Sequence, residues 1–139
     1  MASHQRGCIP SYLAIAAALL LAFLLPLMAA SQWTNCGKNI NFTHNNTYQA
    51  NIHALSTTIP KNASSLRTLF AFASVGTVPD IVYALALCRG DANASACGDY
   101  LSTNFKDARQ LCPYSKGGTV YYDPYYLRFS NQNFLSATN

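Results

Sequence analysis

Four cysteines, Cys36, Cys88, Cys97 and Cys112, are spread through the chain downstream of an apolar N-terminal run. Their separations of 52, 9 and 15 residues contain no close CxxC pair of the kind a zinc site uses. An even set of thiols in a short secreted chain is instead the arithmetic of a disulfide framework, and four cysteines by themselves leave three connectivities open. The secreted premise comes from the start of the chain. MASHQRGC is short and weakly basic, Tyr12 to Leu25 is apolar throughout, and Pro26 breaks the run. Ala29-Ala30-Ser31 then supplies small residues where a signal peptidase cuts. A membrane span needs about 20 apolar residues, and this shorter run gives way to asparagine-rich polar sequence. Residues 1–31 are therefore expected to be a cleaved signal peptide that carries away the fifth cysteine, Cys8. Residues 32–139 are expected to be a single domain with no membrane span in the mature chain.

Composition narrows what such a domain binds. The net charge is +4, yet the lysines and arginines are scattered singly and form no run. A nucleic-acid surface clusters them on one face, so no nucleic-acid partner is expected. Asn41-Phe-Thr, Asn45-Asn-Thr, Asn62-Ala-Ser and Asn93-Ala-Ser are glycosylation sequons and fit a secretory route. Only His44 and His53 remain after the signal peptide, and neither belongs to a nucleophile, HExxH or phosphate-loop motif. With no Glu and scattered Asp, a paired-carboxylate hydrolase is hard to assemble. No enzyme, no metal site and no cofactor are expected.

Periodicity supplies the elements. Cys36 to Thr43 reads as a short strand or extended lead-in. Tyr48, Ile52, Leu55 and Ile59 recur at helical steps, which predicts a helix from Thr47 that Pro60 ends. Thr68 to Val75 alternates Leu69, Ala71, Ala73 and Val75 against Phe70 and Phe72, a strand with one aromatic face. Ile81 to Cys88 is an apolar run of strand length beyond a turn at Pro79. Ser95 is the expected cap of a second helix reaching Leu111, with Leu101, Phe105, Ala108 and Leu111 or Cys112 inside. TVYYD and YYLRFS close the domain as two strands around Asp123-Pro124. Strand, helix, two strands, helix, two strands is an α+β order with helices on an antiparallel sheet. Tyr114, Tyr121, Tyr122, Tyr125 and Tyr126 crowd its last quarter. Such rings either fill a core or form an exposed face for sugars or proteins.

The segments Cys36-Gly-Lys-Asn with NFTHNNTYQANIHAL, then YALALCRGDANASAC, LCPYSKGG and YYDPYYLRFSNQNF carry a resemblance over essentially all of the mature chain. Together they resemble the plant ginkbilobin-homologous (salt-stress response/antifungal) domain. That cysteine-rich domain occurs in seed antifungal proteins, cysteine-rich repeat secretory proteins and cysteine-rich receptor-like kinases. The resemblance implies two helices packed on a five-stranded antiparallel sheet, stapled by Cys88–Cys97 and Cys36–Cys112. The family pattern has a third cysteine where Tyr100 stands, and it bonds the final cysteine, whose place is taken by Tyr125. Such a bridge closes a loop of about 25 residues and contributes roughly 3–4 kcal/mol in the chain-entropy model. Two stacked rings recover about 0.5–1.5 kcal/mol beyond their burial, so Tyr100 and Tyr125 are expected to be neighbours in a less stable but folded domain. In mannose-binding members the sugar is held by an Asn, an Arg and a Glu. The matching positions here are Gly37, Thr119 and Ser130, which retain neither charge nor amide. The resemblance implies a secreted, non-enzymatic binding protein of the apoplast in plant defence or stress response, of the cysteine-rich repeat secretory type. Its partner would be an extracellular protein or a cell-wall glycan. The alternatives are a mannose-binding antifungal protein and a truncated ectodomain of a cysteine-rich receptor-like kinase.

Overall fold

The computed structural model describes residues 32–38, 40–65 and 68–136, with 12, 15 and 16 ahead of them. The segment read as a signal peptide otherwise lies outside the described residues. Seven elements follow in order: β1 (Gln32–Cys36), α1 (Thr47–Ser65), β2 (Phe70–Val75), β3 (Val82–Cys88), α2 (Ala94–Leu111), β4 (Gly117–Tyr122) and β5 (Tyr125–Ser130). The strands form one sheet in the order β1-β4-β5-β3-β2, with every neighbouring pair antiparallel. This is the α+β architecture, two helices on a five-stranded sheet, that the resemblance implied. Among the described residues no helix is long and apolar enough to cross a membrane.

The core lies between the helices and one face of the sheet. Tyr48, Ile52, Leu55 and Ile59 of α1 meet Leu101, Phe105 and Ala108 of α2 above Val82, Ala84, Ala86, Val120, Leu127 and Phe129. The small residues of β3 let the helices sit close to the sheet. Burial of this apolar area, at about 25 cal/mol per Å², is the main force holding the layers together. Cys36 is bonded to Cys112 and Cys88 to Cys97, with Cα separations of 5.4 and 5.8 Å. The first ties β1 to the end of α2, and the second ties β3 to its start.

Four local expectations are corrected. The first helix does not stop at Pro60 but runs through it to Ser65. A proline there removes the hydrogen bond to Ser56 and costs roughly 3 kcal/mol in a helix interior. Packing outweighs that cost, because Pro60 and Ala63 extend the same buried stripe. The second helix is capped by Asn93 rather than Ser95: Asn93 Oδ1 accepts from the Ala96 N–H at 2.8 Å, and its extended backbone (φ −77°, ψ 153°) suits a cap. Ser95 falls inside the first turn. The first strand lies at Gln32–Cys36, ahead of the expected lead-in, because it pairs residue for residue with Tyr122–Gly118 of β4. Strand β2 begins at Phe70 rather than Thr68, since Leu69 turns into the left-handed region (φ 55°) just before it.

Candidate functional site

With both helices on one face of the sheet, the other face is left to water. Alternation puts every second residue of each strand there, and the registers align those residues into rows. One row crosses all five strands: Trp33 pairs with Tyr121, Tyr121 with Tyr126, Tyr126 with Leu87, and Leu87 with Phe70. The next reads Asn35, Thr119, Arg128, Leu85 and Phe72. Trp33 is 56% exposed and Phe72 59%. Phe70 and Phe72 lie on this face with ring centroids 5.8 Å apart. The third row is partly sheltered, since Asn133 and Leu135 line a recess with Tyr83 and Ser74. Arg128 stacks its guanidinium 4.2 Å over the Phe134 ring, a cation–π contact. A row of large aromatic and aliphatic side chains unbroken across a whole sheet is unusual for a face that stays wet.

Around one end of the sheet sits the tyrosine cluster. Tyr100 of α2 stacks on Tyr125 of β5, with centroids 5.4 Å apart and planes at 19°. Tyr122 lies 5.0 Å from Tyr125 and donates its hydroxyl to Asp107 at 3.1 Å. Partial burial, and then that carboxylate, push the Tyr122 phenol up to about 12. Burial raises Tyr125 as well, followed by the charges of Asp107 and Tyr100. Nearby, Arg89 grips Asp91 through two bonds of 2.7 and 2.9 Å and reaches Asp123 at 2.7 Å. These groups are exposed, so the network fixes the turn after β3 to the β4–β5 hairpin more than it stabilises the fold.

The sequons are scattered. Asn41 makes a lone bridge to Ser115, Asn45 takes a left-handed φ of 59°, and Asn62 is half-buried within α1. Asn93 is exposed, and its cap bond uses only the side-chain oxygen. The three mannose-site positions are only partly gathered. Gly37 and Ser130 line a shallow recess of about 200 Å³ together with Lys38, Lys116 and Asn131. Thr119 is not among its lining residues and instead pairs with Asn35 and Arg128 in the second row. The Gly37 N–H donates to the Gly117 carbonyl at 2.7 Å, and a Cβ on Gly37 would stand 3.1 Å from that oxygen. A side chain at 37 would therefore need β1 and β4 to shift. Ser130 accepts from the Gln132 N–H at 3.0 Å. The arrangement offers a sugar no charged or amide group at the three matched positions.

Sequence reasoning saw the aromatic face of β2 but did not place Trp33 in a strand or align the row. Each ring could be assigned to a face by alternation, whereas the alignment across strands required the register. It also gave no sign of Asn104, fully buried on α2, whose amide finds no hydrogen-bond partner among the described residues.

A family model described as salt stress response/antifungal matches residues 35–132. Cysteine-rich receptor-like protein kinase 6 of Oryza sativa subsp. japonica is 48% identical over 95% of this chain and 20% of its own length. Cysteine-rich repeat secretory protein 38 of Arabidopsis thaliana is 39% identical over 68% of this chain and 37% of its own. The tandem DUF26 ectodomain of the Arabidopsis thaliana cysteine-rich receptor-like protein PDLP8 has the same fold. It superposes with a TM-score of 0.67 at 23% identity, covering 73% of this chain and 48% of that one. The chain thus spans a fifth of the length of the kinase and about half of the solved ectodomain.

Proposed function

The chain belongs to the salt stress response/antifungal family, and from that premise we propose a secreted, non-enzymatic binding protein that docks a second domain of its own fold. It acts outside the plant cell, in the apoplast, in defence or stress response. The leader at 1–31 and the sequons support secretion. The observation that carries the docking is the row of large apolar side chains Trp33, Tyr121, Tyr126, Leu87 and Phe70 on the open sheet face. The choice of partner rests on the solved relative, a tandem ectodomain of which this chain covers 48%. A domain that presents the same sheet face supplies the matching apolar surface.

Size sets the strength. Strands about 4.8 Å apart, each rising about 3.3 Å per residue, make a five-strand face of roughly 24 by 20 Å. That projected area is near 500 Å², below the roughly 800 Å² per partner of a standard stable interface. Docking between free chains is therefore weak, and tethering two domains raises their effective concentration enough to hold them together. Sedimentation of the secreted protein over a wide concentration range tests this. The wild type self-associates reversibly at high concentration, and Phe72→Ser or Trp33→Ser removes the association while the fold persists. A wild type that stays monomeric at millimolar concentration overturns the reading. Specific capture of mannan by the same protein would favour the sugar-binding alternative.

The second reading is a piece of a receptor-like kinase ectodomain, favoured by 48% identity to a protein of which the chain spans 20%. The sheet face serves the same docking there. The transcript beyond Asn139 distinguishes the two.

A further inference from the structure

A further concave surface lies away from the sheet face, between the start of α1, the end of α2 and the turn at Pro113–Ser115. It is a cleft of about 400 Å³, within the range of small-molecule sites. Its floor is apolar and continuous with the core: Ile52, Phe129 and Cys112 are buried there. Its wall is aromatic. Phe42 and Tyr114 meet edge to face with centroids 5.9 Å apart, and His44 stands 6.4 Å from Tyr114. Its rim carries Lys106 and Arg109, and no aspartate lines it.

The rim charge is not spent on neighbours. The ion pairs among the described residues join Arg89 to Asp91 and Asp123, and Lys116 to Asp80. Neither Lys106 nor Arg109 takes part in them. Helix ends do not cancel the rim either. The C-terminus of α2 brings a partial charge of about −0.5, and the N-terminus of α1, beside Gln49, brings about +0.5. The two offset, so the cleft keeps the charge of the lysine and the arginine.

Backbone geometry points to the same place. Tyr114 sits at φ 63°, a left-handed conformation that costs a side-chain-bearing residue of order 1 kcal/mol or more. The Phe42 N–H donates to the Tyr114 carbonyl at 2.8 Å and holds that turn. The structure thus keeps Tyr114 against Phe42 at a cost in strain, although its ring remains 46% exposed. Core burial does not account for a ring held in that way.

We propose that this cleft binds a small aromatic carboxylic acid, its ring against Phe42 and Tyr114 and its carboxylate paired with Arg109 and Lys106. Guanidinium is the group best shaped for a carboxylate, because its planar fork makes two parallel bonds. An apolar floor with a cationic rim favours such an acid over a neutral ring, which gains no ion pair, and over a small inorganic anion, which gains no ring contact. The site is separate from the sheet face, so its occupancy does not depend on docking.

The test uses the secreted protein and two matched probes, 2-naphthoate and its neutral amide 2-naphthamide, titrated by calorimetry with ligand-observed nuclear magnetic resonance. Naphthoate binds and naphthamide binds at least about tenfold more weakly, as the loss of a charge-assisted hydrogen bond requires. The Lys106→Gln, Arg109→Gln variant changes two exposed side chains and keeps the near-ultraviolet circular dichroism of the parent. It loses the preference for naphthoate, whereas Tyr114→Ala weakens both probes. Phe72→Ser on the sheet face leaves both affinities unchanged. Equal binding of acid and amide overturns the proposal. So does no binding of naphthoate at millimolar concentration, or an acid preference that survives the double substitution.

Discussion

Tyr100 and Tyr125, the two positions where the resemblance implies a bonded pair of cysteines, touch: the rings stack at 5.4 Å. A covalent bond limits the unfolded chain, whereas a ring stack acts only in the folded state, so a stack in place of a bridge would exchange an entropic restraint for packing. Tyr125 is also in contact with Tyr122 and thereby coupled to Asp107. Removing one ring should therefore be felt beyond its own contact. Tyr100 is 41% exposed, and Tyr100→Ala is expected to cost about 1–2 kcal/mol, the stacking contribution plus partial burial. Urea unfolding measures it, and a midpoint equal to the parent's would show the stack to be idle. The contact between positions 100 and 125 was expected from the resemblance, which implies that both stand where cysteines would. The third ring was not, since nothing in the order of residues says that Tyr122 faces the same corner.

At the scale of elements, α1 and α2 approach closely where Gly98 faces the last turn of α1. A Cβ on Gly98 would stand 3.2 Å from the Ser64 Cβ and 3.3 Å from its Oγ. The turn of α1 beyond Pro60 exists to make this contact and to bury Ala63, which is why a proline fails to end the helix. Gly98→Val places two γ carbons in that gap. Its gain in helix propensity, about half a kcal/mol, is smaller than the 1–3 kcal/mol typical of overpacking. A net loss of about 1–2 kcal/mol is expected in thermal or urea unfolding. Gly90→Ala is the matched control, because a Cβ there meets nothing within 4 Å. It should leave the midpoint within about 0.5 kcal/mol. If Gly98→Val behaves like Gly90→Ala, the last turn of α1 is not held by this packing. Helix existence was visible in the 3.6-residue period. Helix ends were not, because Pro60 and Ser95 are locally good terminators that tertiary contacts and a better cap at Asn93 override.

For the whole molecule, the two bridges restrain chain segments of very different length. Cys36 and Cys112 are 76 residues apart, and Cys88 and Cys97 are 9 apart. In the chain-entropy model the first contributes about 4–4.5 kcal/mol and the second about 2.5. Cys36→Ser with Cys112→Ser is accordingly expected to lower stability by more than Cys88→Ser with Cys97→Ser, by about 2 kcal/mol. Equal losses in urea titrations would mean that residual structure in the unfolded chain already restrains the longer loop, or that the shorter bridge also supports native packing. What the sequence determined by itself was the inventory: an even set of cysteines, helical and alternating periods, and the α+β class they imply. Those signals are local or follow from composition, so they can be read one window at a time. Only the tertiary structure decided which residues share a surface. The strand order β1-β4-β5-β3-β2 brings Trp33 into line with Phe70. The packing of α1 against α2 sets Phe42, Tyr114 and Arg109 around one cleft. Both surfaces join residues far apart in the chain, and their alignment depends on register and packing angle, which no short stretch of sequence encodes.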